Sequence, residues 1–404
     1  MKTSRRTHNW PRLFFWLHAL GVAGFYTFLW WRTRPQETQL APAPGISPEQ
    51  RAPRVSIIVP ARNEERNIRH CVTSLLEQDY PAYDVLVVDD ASDDGTARIL
   101  AEIGRTHPQG ARLRVLHLCE LPDGWAGKPH AVHAGVQEGQ GDYLLFTDAD
   151  TWHAPGALRT AIARAEEKQI DLLSLGTTQE LPGFWEQVMM PLAYLGISMQ
   201  YPPKQVNDPR SPVALANGQY ILLKRAVYEQ LGGYARADLR HTLLDDRDLA
   251  MLVKKEGFRL EMLDGRGLVR VRMYRGLRET WRGWRKNVFL GSRGGLPFVL
   301  LQLLGLPMVT LLPFLLPLWL VRRINRRNVM QSGEATMFSL LELGPLLAYR
   351  SWIDRELRVP WYIRFTHPLA GLIFTGILAQ STWRVLTRRG VDWSGRQYYK
   401  REAR

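Results

Sequence analysis

The sequence predicts an α/β domain, a mostly parallel sheet covered by helices on both faces, set between apolar segments toward the two ends of the chain. Three observations carry this. Short β-branched or leucine-rich runs alternate with stretches of helical spacing between residues 55 and 175, and alternating strands and helices imply parallel pairing with both faces covered. The strand runs are dominated by Val, Ile, Leu, Tyr and Phe, with at most one polar residue each, as buried strands are. Three uncharged apolar runs lie outside them, each of 19 residues or more, and a membrane span needs about 20.

The elements follow in order. Leu13–Trp31 is uncharged for 19 residues, with Arg5, Arg6 and Arg12 before it and Arg32 and Arg34 after. It lacks a small-x-small cleavage site and reads as an uncleaved anchor. Residues 1–35 form this anchor, and 36–53, containing APAPGISPEQRAP, form a proline-rich linker. Residues 54–290 form the α/β domain. Its strands are expected at Val55–Val59, Asp84–Val88, Leu113–Leu116, Tyr143–Phe146 and Leu172–Leu175, and its helices at Glu64–Gln78 and near 128–138 and 155–168. Residues 291–404 form a C-terminal membrane region and basic tail. Leu296–Val321 and Phe365–Trp383 are its long apolar runs. Ala335–Tyr349 between them contains Glu342 and reads as a tilted span, a re-entrant segment or an interfacial helix.

Charge narrows the class. The chain of 404 residues carries a net +14. Residues 1–54 hold 8 Lys or Arg against 2 acids, and residues 291–404 hold 16 against 6. The middle holds 29 against 31. Basic residues that flank apolar runs fit a membrane, whereas a nucleic-acid binder carries a basic face on its folded domain. No nucleic-acid partner is expected. Cys71 and Cys119 form neither a disulfide framework nor a C-x-x-C pair, and read as two buried thiols.

Ligands bind such sheets at the carboxyl ends of the strands, and polar clusters sit there: Pro60–Glu64, Asp89-Asp90 and Asp148-Ala149-Asp150. Two carboxylates separated by one residue can converge on a hard cation, or form a turn with a helix cap. An Asp at a strand end can accept hydrogen bonds from a ribose or a base. Asp93, Asp94 and Thr96 read as caps of the next helix.

VSIIVPARNEE, VLVVDDASDDGT, GWAGK, LLFTDAD and LLDDRDLA, in this order, resemble a family-two glycosyltransferase with a GT-A fold. The layout and the segments GWAGK, VNDPR and Trp393-Ser394-Gly395-Arg396-Gln397-Tyr398 resemble bacterial membrane enzymes associated with carotenoids and hopanoids. The resemblance implies that Pro60, Arg62 and Glu64 line the nucleotide pocket and that Asp90 contacts uracil or ribose. It places Lys128 near the nucleotide, Asp148 at the nucleotide sugar, and Asp148 and Asp150 at magnesium or manganese. Asp245-Asp246-Arg247-Asp248 matches the family's E-D-x-[DE] motif and makes Asp246 the general base, although Asp replaces the usual first Glu. Asp245, Trp281, Arg282 and Trp284 are candidate acceptor or diphosphate contacts. The Q-x-x-R-W pattern of processive synthases is missing from Glu279–Trp284, which argues for transfer of a single sugar.

Chemistry supports these roles. A carboxylate taking the acceptor proton contributes roughly 100- to 10,000-fold, and one displacement with one base inverts the anomeric centre. Other features have two readings. His130 and His133 could ligate a metal, but with no third ligand in view they read as helix-face residues. Leu181–Tyr201, rich in Met and aromatics, reads equally as core or as an interfacial helix feeding a lipid acceptor. Arg266–Lys286 reads as a basic helix at headgroup level.

The expectation is therefore a metal-dependent inverting glycosyltransferase, multi-pass in the plasma (inner) membrane with its catalytic domain facing the cytoplasm. It would move one sugar from a nucleotide donor, UDP-glucose, to the hydroxyl of a lipid such as a carotenoid. The rivals are a polyprenyl-phosphate glycosyltransferase and a non-catalytic nucleotide-sugar-binding scaffold. The sequence leaves the oligomeric state open.

Overall fold

The computed structural model describes residues 10–33, 39–43, 52–292, 294–323, 329–387, 391–393 and 396–398. Arg5, Arg6, Arg34, Arg326, Arg327, most of the expected linker, and Ser394 and Gly395 lie outside the described residues.

The strands, in chain order, are β1 (Val55–Ala61), β2 (Tyr83–Asp90), β3 (Leu113–Leu118), β4 (Tyr143–Phe146), β5 (Thr151–His153), β6 (Leu172–Gly176), β7 (Thr178–Gln179), β8 (Ile221–Lys224), β9 (Leu260–Asp264) and β10 (Val269–Val271). Seven of them form one sheet in the order β3-β2-β1-β4-β8-β6-β9. All neighbours are parallel except β8, which runs antiparallel to both β4 and β6. β5, β10 and β7 make a small second sheet. The short strands β11 (Val391–Trp393) and β12 (Arg396–Tyr398) pair as an antiparallel hairpin.

The period of two along each strand divides the core. Val55, Ile57, Val59, Val85 and Val87 face α2 (Ile68–Leu76), α3 (Thr96–Thr106) and α5 (Ala157–Lys168). Ile58, Leu86, Val88, Leu144 and Phe146 face α4 (Gly127–Glu138) and α9 (Asp245–Lys255). Both faces are covered, as the largely apolar strands require.

The remaining helices are α1 (Trp10–Thr33), α6 (Phe184–Gln200), α7 (Pro203–Asn207), α8 (Arg225–Gln230), α10 (Gly276–Leu290), α11 (Gly295–Thr310), α12 (Leu312–Arg323), α13 (Val329–Glu356) and α14 (His367–Leu386). Val22, Tyr26 and Leu29 of α1, Met189 and Leu192 of α6, Leu346 of α13 and Ile377 of α14 share a third apolar core. The middle of α6, residues 188–193, is thus packed as core, whereas Phe184 is exposed and Trp185 and Tyr194 are half-buried.

Among the described residues, Leu13–Thr33 and Trp361–Leu386 are long and apolar enough to cross a membrane, and α11 with α12 adds a third candidate if that bent pair is one span. The pair is bent by 42°. Pro313 has no N–H to offer the Val309 carbonyl one turn earlier. That carbonyl accepts instead from the Tyr26 hydroxyl at 2.9 Å. Residues 335–349, left open above, lie within the continuous helix α13, where Glu342 meets Nδ1 of His18 at 2.6 Å. Of the two cysteines, Cys71 is buried and Cys119 is exposed. Cys119 follows β3 directly, in the polar loop leading to α4, so only one thiol is part of the core.

Candidate active site

The parallel arrangement brings the ends of β1, β2 and β4 to one edge of the sheet, and the loops there are tied together before any ligand enters. The Asn63 N–H donates to Ser92 Oγ (3.0 Å), the Asp93 N–H to Asn63 Oδ1 (2.9 Å), and the Glu64 N–H to Thr96 Oγ1 (2.9 Å). The Arg62 guanidinium donates to the carbonyls of Asp90 and Ala91. Arg62 therefore braces the end of β2 through the backbone. Of the three expected caps of α3, Asp94 accepts from the Thr96 N–H at 2.9 Å, while Gly95 holds the N-cap position and Thr96 Oγ1 is spent on the Glu64 N–H and Asp94.

Asp89 and Asp90 have different neighbours. Asp89 accepts from the Ser92 N–H (3.1 Å) and meets His117 Nδ1 at 2.9 Å. Asp90, equally buried, is held by the Arg396 guanidinium, with Nη2 3.0 Å from Oδ1 and Nη1 on Oδ2. Arg396 arrives from β12, more than 300 positions along the chain.

The acidic groups converge on Lys128, at the second position of α4. Its ammonium lies 2.7 Å from Asp148 Oδ1 and 3.4 Å from Asp245 Oδ2. Burial alone would lower the Lys128 pKa, but Asp148, Asp245 and Asp246 hold it above its ordinary value. Burial pushes Asp245 up to about 6, with Lys128 opposing and Asp246 adding to the rise. Asp246 accepts from the Gly218 N–H through Oδ2 at 3.2 Å and from the Arg247 N–H through Oδ1 at 2.7 Å. A Cβ on Gly218 would sit 2.9 Å from the Lys128 ammonium and 3.3 Å from Asp246. Glycine there keeps the carboxylates and the lysine close. Pro60, Lys128, Thr147, Gly218, Tyr234 and Asp245 line a small pocket at this point.

Asp150 lies under the same edge. One of its oxygens is buried without a hydrogen-bond partner. Burial, then Asp148 and Glu64, raise its pKa well above the ordinary carboxyl value. Glu64, raised chiefly by burial, accepts from Asn67 Nδ2 at 3.0 Å. No group of three or more His, Cys, Asp or Glu side chains positioned for a metal occurs among the described residues. An orphaned carboxylate oxygen beside a second carboxylate does fit a hard divalent cation whose shell is completed by phosphate oxygens and water. His130 and His133 pack instead against Trp125, with ring centroids 5.4 and 5.2 Å away.

The α10 residues divide. Trp281 donates to Gln380 Oε1 at 2.7 Å and packs over Gly376 of α14, where a Cβ would come within 3.0 Å of the indole. Trp284 sits edge-on to Phe374 of α14, and Arg282 is exposed. These three face the helical region or solvent rather than the carboxylates. Lys286, one turn on from Arg282, lies within electrostatic reach of them: burial lowers its pKa, Asp245 opposes that, Lys128 adds to the lowering, and Asp246 and Asp148 oppose it further. The basic stretch Arg266–Lys286 was visible in the sequence, but not which member turned inward. Gly218, Lys286 and Arg396 owe their places at the site to the fold, although Arg396 belongs to the closing segment 393–398 that the sequence already singled out.

Residues 56–232 match the family model "Glycosyl transferase family 2". A 4,4'-diaponeurosporenoate glycosyltransferase of Staphylococcus aureus (strain USA300) is 28% identical over 369 residues, covering 85% of this chain and 88% of the relative. The protein of the same name from the bovine strain RF122 / ET3-1 is 27% identical over 357 residues, with the same coverages. A mannosyltransferase from Pyrobaculum calidifontis, solved with GDP-Man and Mn2+, superposes with a TM-score of 0.52 at 18% identity, covering 93% of this chain and 97% of its own. The fold is the GT-A-like α/β fold, and Asp245, Asp246 and α10 lie beyond the stretch that the family model matches.

Proposed function

For a chain that carries a family 2 glycosyltransferase domain, and is therefore a glycosyltransferase, we propose transfer of a single sugar, glucose from UDP-glucose, to the hydroxyl of a membrane lipid such as a carotenoid or related terpenoid. The observation that carries this reading is the meeting of Lys128, Asp148, Asp245 and Asp246 at one strand edge, in a domain continuous with two helices long and apolar enough to cross a membrane. The carotenoid-type acceptor is supported by the relatives named above. The reaction inverts the anomeric centre, and the catalytic domain faces the cytoplasm.

Each residue has a physical task in this reading. Asp246 is the general base. Its carboxylate is oriented by the Gly218 and Arg247 N–H groups and takes the acceptor proton as the glycosidic bond forms. Lys128 balances Asp148 and Asp245 before the donor arrives and can turn to phosphate once it has. Asp148 and Asp150 would hold magnesium or manganese. Bound there, the cation would neutralise charge on the departing nucleoside diphosphate. Pro60 and Glu64 border the donor, and Asp90 receives the nucleoside.

One observation favours a second reading. The named substrate of the relatives ends in "-oate", and an acceptor that is already anionic, a carboxylate or a polyprenyl phosphate, needs little help from a base. Lys286 near Asp245 supplies positive charge for it.

The test uses purified full-length protein in detergent with Mn2+ or Mg2+, a panel of radiolabelled nucleotide sugars and a lipid extract. Label entering the organic phase and surviving both mild acid and mild base is a glycoside on a hydroxyl. Release by base marks an ester, and release by mild acid marks a sugar phosphate on a polyprenyl carrier. Absence of transfer with every donor, metal and lipid would leave the non-catalytic scaffold standing.

A further inference from the structure

A buried carboxylate at a strand end is costly unless it is paired. Asp90 is 4% exposed, and its partner is Arg396, one side-chain nitrogen on each oxygen. Arg396 is itself mostly covered, its side chain 19% exposed. The contact joins the β11–β12 hairpin to the strand edge where the donor is proposed to bind. His130 lies within electrostatic reach of both groups.

Hydrogen-bond chemistry gives this contact a consequence. A lone carboxylate offers only acceptors, and it serves the amino edge of adenine or cytosine as well as the lactam N–H of uracil or guanine. A guanidinium has five donors in a rigid fork, and each carboxylate oxygen has two acceptor directions. Arg396 and Asp90 together therefore present a donor beside an acceptor. That pair complements the adjacent carbonyl and N–H of a keto base. Adenine and cytosine carry the same two functions in reverse order, an amino group where the keto base has its carbonyl and a bare ring nitrogen where it has N–H. From a fixed glycosidic bond, a pair ordered for the keto base therefore sets a donor toward their amino group.

We propose that Arg396 is a specificity-determining residue for the donor's nucleobase, holding the Asp90 carboxylate in place and selecting uracil or guanine over adenine or cytosine. This rests on the reading that a nucleotide sugar binds with its base at Asp90. The residue acts at the nucleoside end, away from Asp246, so it governs donor affinity and base choice, not the chemical step.

The experiment compares full-length wild type, Arg396→Ala, Arg396→Lys, Asp90→Ala and the double variant Asp90→Ala/Arg396→Ala in detergent. Calorimetry measures binding of UDP, GDP, ADP and CDP, and transfer kinetics give kcat and KM for the donor. Loss of a charge-assisted hydrogen bond predicts UDP binding weaker by roughly tenfold to a hundredfold in Arg396→Ala. The preference for UDP over ADP should shrink by about tenfold, kcat at saturating donor should be retained, and Arg396→Lys should recover part of the preference. In the Asp90→Ala background, removing Arg396 should add little, because the two act as a unit. A merely structural arginine would change the melting temperature and the folded yield but leave the ratio of UDP to ADP affinity untouched. That unchanged ratio in Arg396→Ala overturns the inference, as does a rise in UDP affinity, which would mark Arg396 as a competitor of the donor. If Asp90→Ala also leaves UDP binding at the wild-type value, the placement of the base at Asp90 fails first, and the underlying reading with it.

Discussion

Two polar clusters are built from the same kinds of residue and behave differently. At the strand edge, Lys128 meets Asp148, Asp245 and, through space, Asp246, with side-chain exposures of 31% for Lys128 and 32% for Asp148. Among the helices, Arg350 pairs with Asp354 at 2.9 Å, each 1% exposed, and His18 pairs with Glu342 at 2.6 Å. The second cluster is sealed, and Asp354 there has two cations beside it, Arg350 and Arg364, whose Nε is 3.9 Å away. The first is open and short of positive charge, and an unpartnered Asp150 oxygen lies beside it. Uncompensated negative charge with access to solvent marks a place where something cationic arrives. Sealed polar pairs hold the helices: Arg350 and Asp354 pair within α13, and His18 ties α1 to α13 through Glu342.

The comparison can be broken most sharply at Asp246. Asp246→Asn should lower kcat by roughly 100- to 10,000-fold while calorimetry shows UDP binding within a few-fold of wild type. A loss of only a few-fold would point to an acceptor that is already anionic. In the sealed cluster, Arg350→Met should cost about 3 kcal/mol by leaving buried Asp354 with only Arg364, whose Nε is 3.9 Å away, seen as a fall in folded yield and melting temperature, with unchanged KM in the protein that does fold. The double variant Arg350→Met/Asp354→Leu should restore most of that stability, because a balanced pair can be replaced by packing.

Lys128→Met comes next in size. Lys128 is partly exposed, so solvent screens its loss to about 1–2 kcal/mol. The expected signature is a lower melting temperature that millimolar Mn2+ partly restores, and no such rescue in the Arg350 variant. The smallest effect is on pH. Folded Asp245 titrates at about 6, against about 4 in the unfolded chain. Between those values the folded state holds a proton that the unfolded state has lost. Asp245 therefore stabilises the fold below pH 4, and that contribution is lost as pH rises through about 6. Asp245→Asn should flatten the decline in melting temperature over this window, and an unchanged slope would show that Asp245 is not the group responsible.

Much of the donor half was legible in the sequence. Runs such as Val55–Val59 and Tyr143–Phe146 are apolar but for Ser56, and polar residues follow within three positions, so both the strands and the ligand edge could be located. The sequence did not show β8. Ile221–Lys224 is four residues long, too short for its period to report direction, and its antiparallel place between β4 and β6 is set by neighbours. The same limit applies to α10. Basic and aromatic residues share that helix, and only its packing on α14 turns Trp281 and Trp284 away and brings Lys286 toward the carboxylates.

Local chemistry thus determined by itself the strand-and-helix alternation, the apolar segments and the carboxylates with their spacing, because these depend on residues close along the chain. The tertiary structure decided which carboxylate gained Lys128, which was left with an orphaned oxygen, and that Arg396 closes on Asp90. Those outcomes depend on groups far apart in sequence meeting at one strand edge, where burial and charge balance replace local preference as the governing energies.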